Sequence, residues 1–378
     1  MRPIYLDYNA TTPIDPEVVE AMKPYLDEHF GNPSSAHWYG VQTRAAVEEA
    51  RKQVAVLLGC EPGEVVFTSG GTESNNYAIM GAALAKSTEG RHIITSIIEH
   101  PAVTEVCRQL ESNGFDVTYL PVDEFGTVEP GDVEKAITSE TILVTIMHAN
   151  NEVGTIQSIS EIATITSRHR IVMHTDAAQS TGKIPTRVDE LGVSLLSLAG
   201  HKLYAPKGVG ALFVRRGIHL QKLMHGADHE MNRRAGTENV LEIVGLGKAC
   251  EIAERDLKQH SDHMRTMRDK LERGLLNKSL NTKINGHPVE RLPNTLSVSF
   301  RGLEADVLLS ELEEVAASAG AACHSDSVDV SSVLTAMEVP PEYAMGTIRF
   351  SVGRNTTPEE IDITVQKISA VVRRMYLQ

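Results

Sequence analysis

The run Ser197-Leu198-Ala199-Gly200-His201-Lys202 carries an apolar stretch straight into a lysine. A lysine at the end of a buried strand loses hydration, and its pKa falls toward that of a nucleophilic amine. Most lysines are solvated surface charges, as Lys207 reads here. A second such place is Met173-His174-Thr175-Asp176-Ala177-Ala178-Gln179. A carboxylate ending an apolar strand is costly without a partner, and a protonated pyridine nitrogen would be a suitable one. The plain alternative for Asp176 is a helix N-cap. Gln179, three residues on, reaches the same ligand if a helical turn follows. A third place is Phe67-Thr68-Ser69-Gly70-Gly71-Thr72-Glu73. Here a strand gives way to a helix across two glycines, which turns free N–H groups and the positive helix end toward an anion; the Thr72 hydroxyl could add a donor. Each feature alone has an ordinary structural reading. Together, a phosphate cradle, a strand-end Asp and a strand-end Lys are the three handles that pyridoxal phosphate needs.

The four cysteines, Cys60, Cys107, Cys250 and Cys323, lie far apart and form no C-x-x-C pair. That spacing argues against a metal site or a disulfide framework. Only Cys323 sits among small and polar residues, in Gly320-Ala321-Ala322-Cys323-His324-Ser325-Asp326. This reads as a mobile loop, which suits a nucleophile that must move; the other three read as inert small residues.

Several of the elements that must hold these residues read as strands apolar on both faces: Glu64–Thr68, His92–Ile98, Ile142–Met147, Arg170–His174, Val193–Leu198 and Gly210–Val214. Alternation with amphipathic stretches predicts an α/β domain with a mainly parallel sheet, over residues 15–255. Residues 256–378, with 1–14, are expected to form a smaller α+β domain. Its strands are Asn294–Phe300 and Thr347–Val352, with a helix around Ala305–Leu312 between them. The last helix is signalled by Thr357 as cap, Pro358 and Glu360, with Ile361, Val365, Ile368, Val372 and Met375 on one face. Asp15-Pro16-Glu17 marks a helix start near the N-terminus. The chain has 378 residues, 41% of them hydrophobic, which excludes a disordered protein. A net charge of -14 disfavours nucleic acid and anionic lipid as partners. No apolar run is long enough to span a bilayer and no targeting segment is evident, so a cytoplasmic protein is expected.

The ordered motifs resemble those of cysteine desulfurases of the NifS/IscS type, a branch of fold-type I pyridoxal-phosphate enzymes. They are Leu6-Asp7-Tyr8-Asn9-Ala10-Thr11, Gly31-Asn32-Pro33-Ser34-Ser35, Thr68-Ser69-Gly70-Gly71-Thr72-Glu73, Glu99-His100, Asn150-Asn151-Glu152, Asp176-Ala177-Ala178-Gln179, Gly200-His201-Lys202, Arg234-Ala235-Gly236-Thr237, Ala322-Cys323 and Arg349-Phe350-Ser351-Val352-Gly353-Arg354. The resemblance implies a seven-stranded sheet, pyridoxal 5'-phosphate held covalently on Lys202, and a homodimer. By it, Asp176 would pair with the ring nitrogen and Gln179 with the ring oxygen. His100 would stack on the ring and assist proton transfer, including ionisation of Cys323. Gly71, Thr72 and His201 would hold the phosphate, with Thr237 given by the second subunit. Asn32, Asn151 and Arg349 would bind substrate, and Asn151 would also touch the cofactor. Cys323 would take sulfur from L-cysteine as a persulfide, leaving L-alanine, and pass it to an acceptor such as an iron–sulfur scaffold protein. No metal is implied.

Three departures from the family pattern stand out. Ala199 replaces a phosphate-binding serine. Residues 223–232 lack the usual glycine-rich run, and their His225 and His229 read as surface or interface residues rather than metal ligands. Ala322-Cys323-His324-Ser325-Asp326 also resembles selenocysteine lyases. That is the nearest rival activity; an aminotransferase would share the cofactor handles but not Cys323. A nicotinamide enzyme is disfavoured because Gly245-Leu246-Gly247 lacks the third glycine and the preceding strand of a dinucleotide fingerprint. A cofactor-free scaffold would be expected to lack Lys202 or Asp176.

Overall fold

The computed structural model describes residues 3–278, 280–324 and 327–377, and from 321 to 329 only the backbone of those it describes. Seven strands form one sheet: β1 Val65–Thr68, β2 His92–Ser96, β3 Asp116–Leu120, β4 Thr141–Thr145, β5 Val172–Asp176, β6 Leu195–Ala199 and β7 Gly210–Val214. Their spatial order is β1-β7-β6-β5-β4-β2-β3. All neighbours are parallel except β7, which runs antiparallel to both β1 and β6. Successive strand residues feed opposite cores. Val65, Phe67, Val144 and Leu196 join one, while Val66, Leu143, Val172 and Leu195 join the other. Helices cover both faces, which is why these strands read as continuous apolar runs. The fold is the α/β arrangement expected from the sequence.

Helix α1, Gly71–Ala85, packs on the second of these faces through Tyr77, Ala78, Ile79 and Ala82. A polar ladder crosses the sheet beneath it. The Thr145 hydroxyl lies 2.8 Å from His174 Nδ1, and His174 Nε2 lies 3.0 Å from the Ser197 hydroxyl. Burial pushes the His174 imidazole down to about 3, so it is neutral and its two nitrogens are filled by two hydroxyls. Helix α2, Pro101–Ser112, follows β2 and is capped by His100.

A second, antiparallel sheet contains β8 Thr282–Asn285, β9 Thr295–Phe300, β10 Ser318–Ala319 and β13 Thr347–Ser351, in the order β10-β13-β9-β8. Between β10 and β13 in sequence lie β11, Ala321–His324, and β12, Ser327–Val330, which among the described residues pair only with each other. Cys323 therefore stands in a hairpin strand, opposite Val328, where the sequence suggested a loop. Ala321-Ala322-Cys323-His324 shows no apolar alternation, so the sequence carries no strand signal there. The Cys323 side chain lies outside the described part of the structure.

Helix α3, Val240–Leu276, runs 37 residues and serves both regions. Ile252 and Ala253 pack in the core of the large sheet, Met264 and Met267 in that of the second. The closing helix α4, Pro358–Met375, has the expected capping box between Thr357 and Glu360 and buries Ile361, Val365, Ile368 and Val372.

Candidate active site

A cleft of about 380 Å³ opens at the C-terminal ends of β5 and β6, against the N-terminus of α1. It is lined by ten of the residues singled out above. Lys202, Asp176, Gln179, His100 and His201 come from strand ends and turns; Gly71 and Thr72 open α1; Asn151, Arg349 and Ala199 complete the wall. Asn32 and Thr237 are exposed and do not line it.

Lys202 follows β6 in a single 3-10 turn. Its amine donates to the carbonyl oxygens of Ala10, at 2.9 Å, and Asn9. Burial, then the Arg349 guanidinium, lowers it to about 8, although Asp7 and Asp176 pull the other way. A substantial neutral fraction at working pH is what a lysine nucleophile or base requires. Asp176 is the last residue of β5. Its Oδ2 accepts from Asn75 Nδ2 at 2.6 Å and its Oδ1 from the Ala178 amide at 2.9 Å. No helix follows, so the N-cap reading does not hold; the carboxylate closes a tight turn instead.

His100 sits at the mouth, its Nδ1 accepting from the Ala102 amide at 3.0 Å. Loss of hydration, then Lys202, lowers its pKa against the opposing effect of Asp176. With Nδ1 so engaged, neutral His100 carries its proton on Nε2. His201 Nδ1 lies 3.2 Å from the Thr11 hydroxyl, and burial, Lys202 and Lys207 push the ring down to about 4. Arg349, on β13, reaches Asp7 at 2.8 Å, Ser318 at 2.9 Å and the Asn151 carbonyl at 3.1 Å. Its Nε is buried without a partner. A buried unfilled guanidinium N–H is the mark of an absent anion, and a carboxylate is its natural complement.

Sequence reasoning passed over Asn9, Ala10 and Asn75, all of which line the cleft. Asn9 joins more partners than any expected residue. Its backbone oxygen takes Lys202 and Gln179, and its side chain takes Asn294 and reaches Thr295 and the Asn151 carbonyl. The signal lay in the Leu6–Thr11 motif, noted without a role. Asn75 stands one helical turn after Gly71, a spacing that returns it to the cleft face. Glu230, to which the sequence reading gave no role, is buried. It takes two bonds from Arg51, at 2.7 and 2.8 Å, and one from the Phe67 amide at 2.8 Å. Glu230, Met231 and Asn232 all have positive φ, a left-handed turn that leads into Arg234. Arg234 then holds Glu73 in the first turn of α1.

A family model described as aminotransferase class-V matches residues 4–364. The chain belongs to the class V aminotransferase family. Among its relatives, a protein named cysteine desulfurase IscS from Dictyoglomus turgidum is 49% identical over 99% of this chain and 95% of its own length. A solved structure named NifS-like protein superposes with a TM-score of 0.93 at 39% identity, covering 98% of this chain and 99% of that one. A structure described as SspA in complex with cysteine gives 0.82 at 38% identity, covering 94% and 100%. Class V aminotransferases depend on pyridoxal phosphate, and this cleft fits it. Gly71 brings α1 so close to β6 that a Cβ there would stand 3.1 Å from that of Ala199. The helix N-terminus is thus open to a phosphate, with Thr72 and neutral His201 as further donors. Asn75 Oδ1 is buried and unpaired beside the carboxylate of Asp176. The missing serine at Ala199 removes one donor without closing the cradle. Cys60 and Cys107 are pushed up to about 12 by burial, and Cys250 higher, so none of the three supplies a thiolate here.

Proposed function

We propose that this protein is a cysteine desulfurase that takes sulfur from free L-cysteine onto Cys323 as a persulfide and releases L-alanine. The observation that carries the reading is one cleft holding a lysine lowered to about 8, a strand-end carboxylate and a guanidinium with an unfilled N–H. Pyridoxal phosphate, when bound, draws electrons from the Cα of an attached amino acid. Lys202 Nζ would hold the cofactor, and its lowered pKa would let it serve as the base for the Cα proton. Asp176, fixed by Asn75 and the Ala178 amide, would keep the pyridine nitrogen protonated. Gln179 would meet the ring oxygen, and Gly71, Thr72 and His201 would hold the phosphate. Arg349 takes the substrate carboxylate through Nε and an Nη, beside Asn151. Asn32 stands outside the lining and would join only when substrate is bound.

The Cys323 thiolate attacks the substrate sulfur; an S–S bond forms as the C–S bond breaks, and the electron pair leaves with carbon. His100, at the cleft mouth with Nε2 left open by the Ala102 amide, is assigned to proton transfer during turnover. Thr237 is exposed and outside its own cleft, which supports its donation to a second subunit. We take the active form to be a homodimer, the compartment to be the cytoplasm, and the acceptor to be a protein of the iron–sulfur scaffold type. Among the described residues no helix is long and apolar enough to cross a membrane.

The test is release of alanine and sulfide from L-cysteine under reducing conditions, with L-selenocysteine alongside. Cys323→Ala should keep the cofactor absorbance and lose sulfide release. Turnover of selenocysteine alone would instead make the protein a selenocysteine lyase.

A further inference from the structure

Lys183 has no part in the chemistry above, yet it lies buried directly behind the cleft. Its side chain is 4% exposed, and its amine donates to Gln179 Oε1 at 3.0 Å and Asn9 Oδ1 at 3.3 Å. The other end of the Gln179 amide donates from Nε2 to the Asn9 backbone oxygen at 3.0 Å. A backbone carbonyl only accepts, so the nitrogen of Gln179 must face Asn9 and its oxygen must face Lys183. The turn that carries both residues is packed tight: a Cβ on Gly182 would stand 2.0 Å from Leu203, the neighbour of Lys202.

We propose that Lys183 is a positioning residue that clamps the Gln179 amide with its oxygen turned away from the cleft, so that Gln179 offers the cofactor only N–H. An oxygen acceptor on the ligand, above all an anionic one, is then selected over a donor. The inference rests on the cofactor reading given above. Lys183 does this as a neutral amine. Both its partners are uncharged; Lys202 and Arg349 act on it, and the cavity behind it is lined by His260, Arg354 and Tyr204, with the Asp15 carboxylate paired to Arg354 and Asp256 beside His260. Burial first, then Lys202 and Arg349, hold it well below the ordinary lysine range. A charged Lys183 would place a third N–H where only two acceptors exist.

The experiment is a pH titration of the visible absorption of the holoenzyme, with the rate of cofactor release, for the parent, Lys183→Met, Gln179→Ala and the double variant. Lys183→Met should speed release about 2- to 10-fold, the worth of one buried hydrogen bond, and shift the titration midpoint. In the Gln179→Ala background both effects should vanish. Lys183→Gln, which can still donate to Gln179 Oε1, should restore the parent behaviour. If Lys183→Met acts equally with Gln179 absent, or changes nothing while Gln179→Ala does, the clamp is wrong and the cofactor reading survives. A parent that takes up no pyridoxal phosphate overturns both. Should the Met variant fold poorly, unfolding of the colourless apoprotein decides. A lysine held below its unfolded value of about 10.4 makes stability rise with pH up to that value, and both Lys183→Met and Lys183→Gln should flatten this slope. An unchanged slope in either would rule out the neutral amine.

Discussion

Single residues in this cleft are tuned mainly by loss of water. Glu99 is the clearest case outside the reacting set: burial raises its carboxyl to about 8, although Ser96 and the Met147 amide donate to Oε1. Its other oxygen has no partner. A carboxyl with a raised folded pKa gives its full stability below the unfolded value of about 4.3, and loses it as pH rises through the folded one. Glu99→Gln keeps the acceptor and cannot ionise. The melting temperature of the parent should therefore fall relative to that variant between about pH 5 and 8, as calorimetry across that range would show. Ala199→Ser restores a hydroxyl opposite Gly71 and should slow cofactor release about 2- to 10-fold, measured by absorbance decay on dilution. Chemistry-bearing residues were legible at this scale because each interrupts an apolar run: Lys202, Asp176 and Thr72 all announce themselves so. Lys183 and Asn9 were not, since their importance lies in whom they touch across the chain.

At the scale of elements, six of the seven large-sheet strands were legible from paired apolar faces. The exception, β3, is an edge strand whose Asp116 is exposed and whose next three residues are only half-buried, so it lacks the apolar run. The left-handed turn at Glu230–Asn232 was equally hidden, because no glycine marks it. Each non-glycine residue there costs roughly 1–2 kcal/mol, and the contacts of Glu230 with Arg51 and the Phe67 amide hold the turn in place. Breaking the buried Arg51–Glu230 pair strands a charge inside the protein. Glu230→Ala should cost about 3–5 kcal/mol in denaturant unfolding. Met231→Gly, at an exposed position with φ 56°, should stabilise by up to about 1 kcal/mol. The polar ladder of Thr145, His174 and Ser197 also belongs here. A slip of one residue between β5 and β6 would turn these groups to opposite faces. It therefore fixes the depth at which Asp176 sits relative to the turn carrying Lys202.

Over the whole molecule, two cores share one long helix, and the cleft draws on both. We propose a division of the chain near residue 255, inside α3, with residues 1–14 joined to the second part. Leu6 packs there, while Val18 packs with the large sheet. Lys202 and Asp176 belong to the first part; Arg349, on β13, belongs to the second. A substrate whose amine is held near Lys202 and whose carboxylate is held by Arg349 touches both at once. Such a molecule acts as mortar between two blocks. Its binding free energy adds to the cohesion of the pair, by about 2.7 kcal/mol at a hundred times its dissociation constant. An unreactive amino acid analogue should then raise the melting temperature of the parent and leave Arg349→Ala where it was.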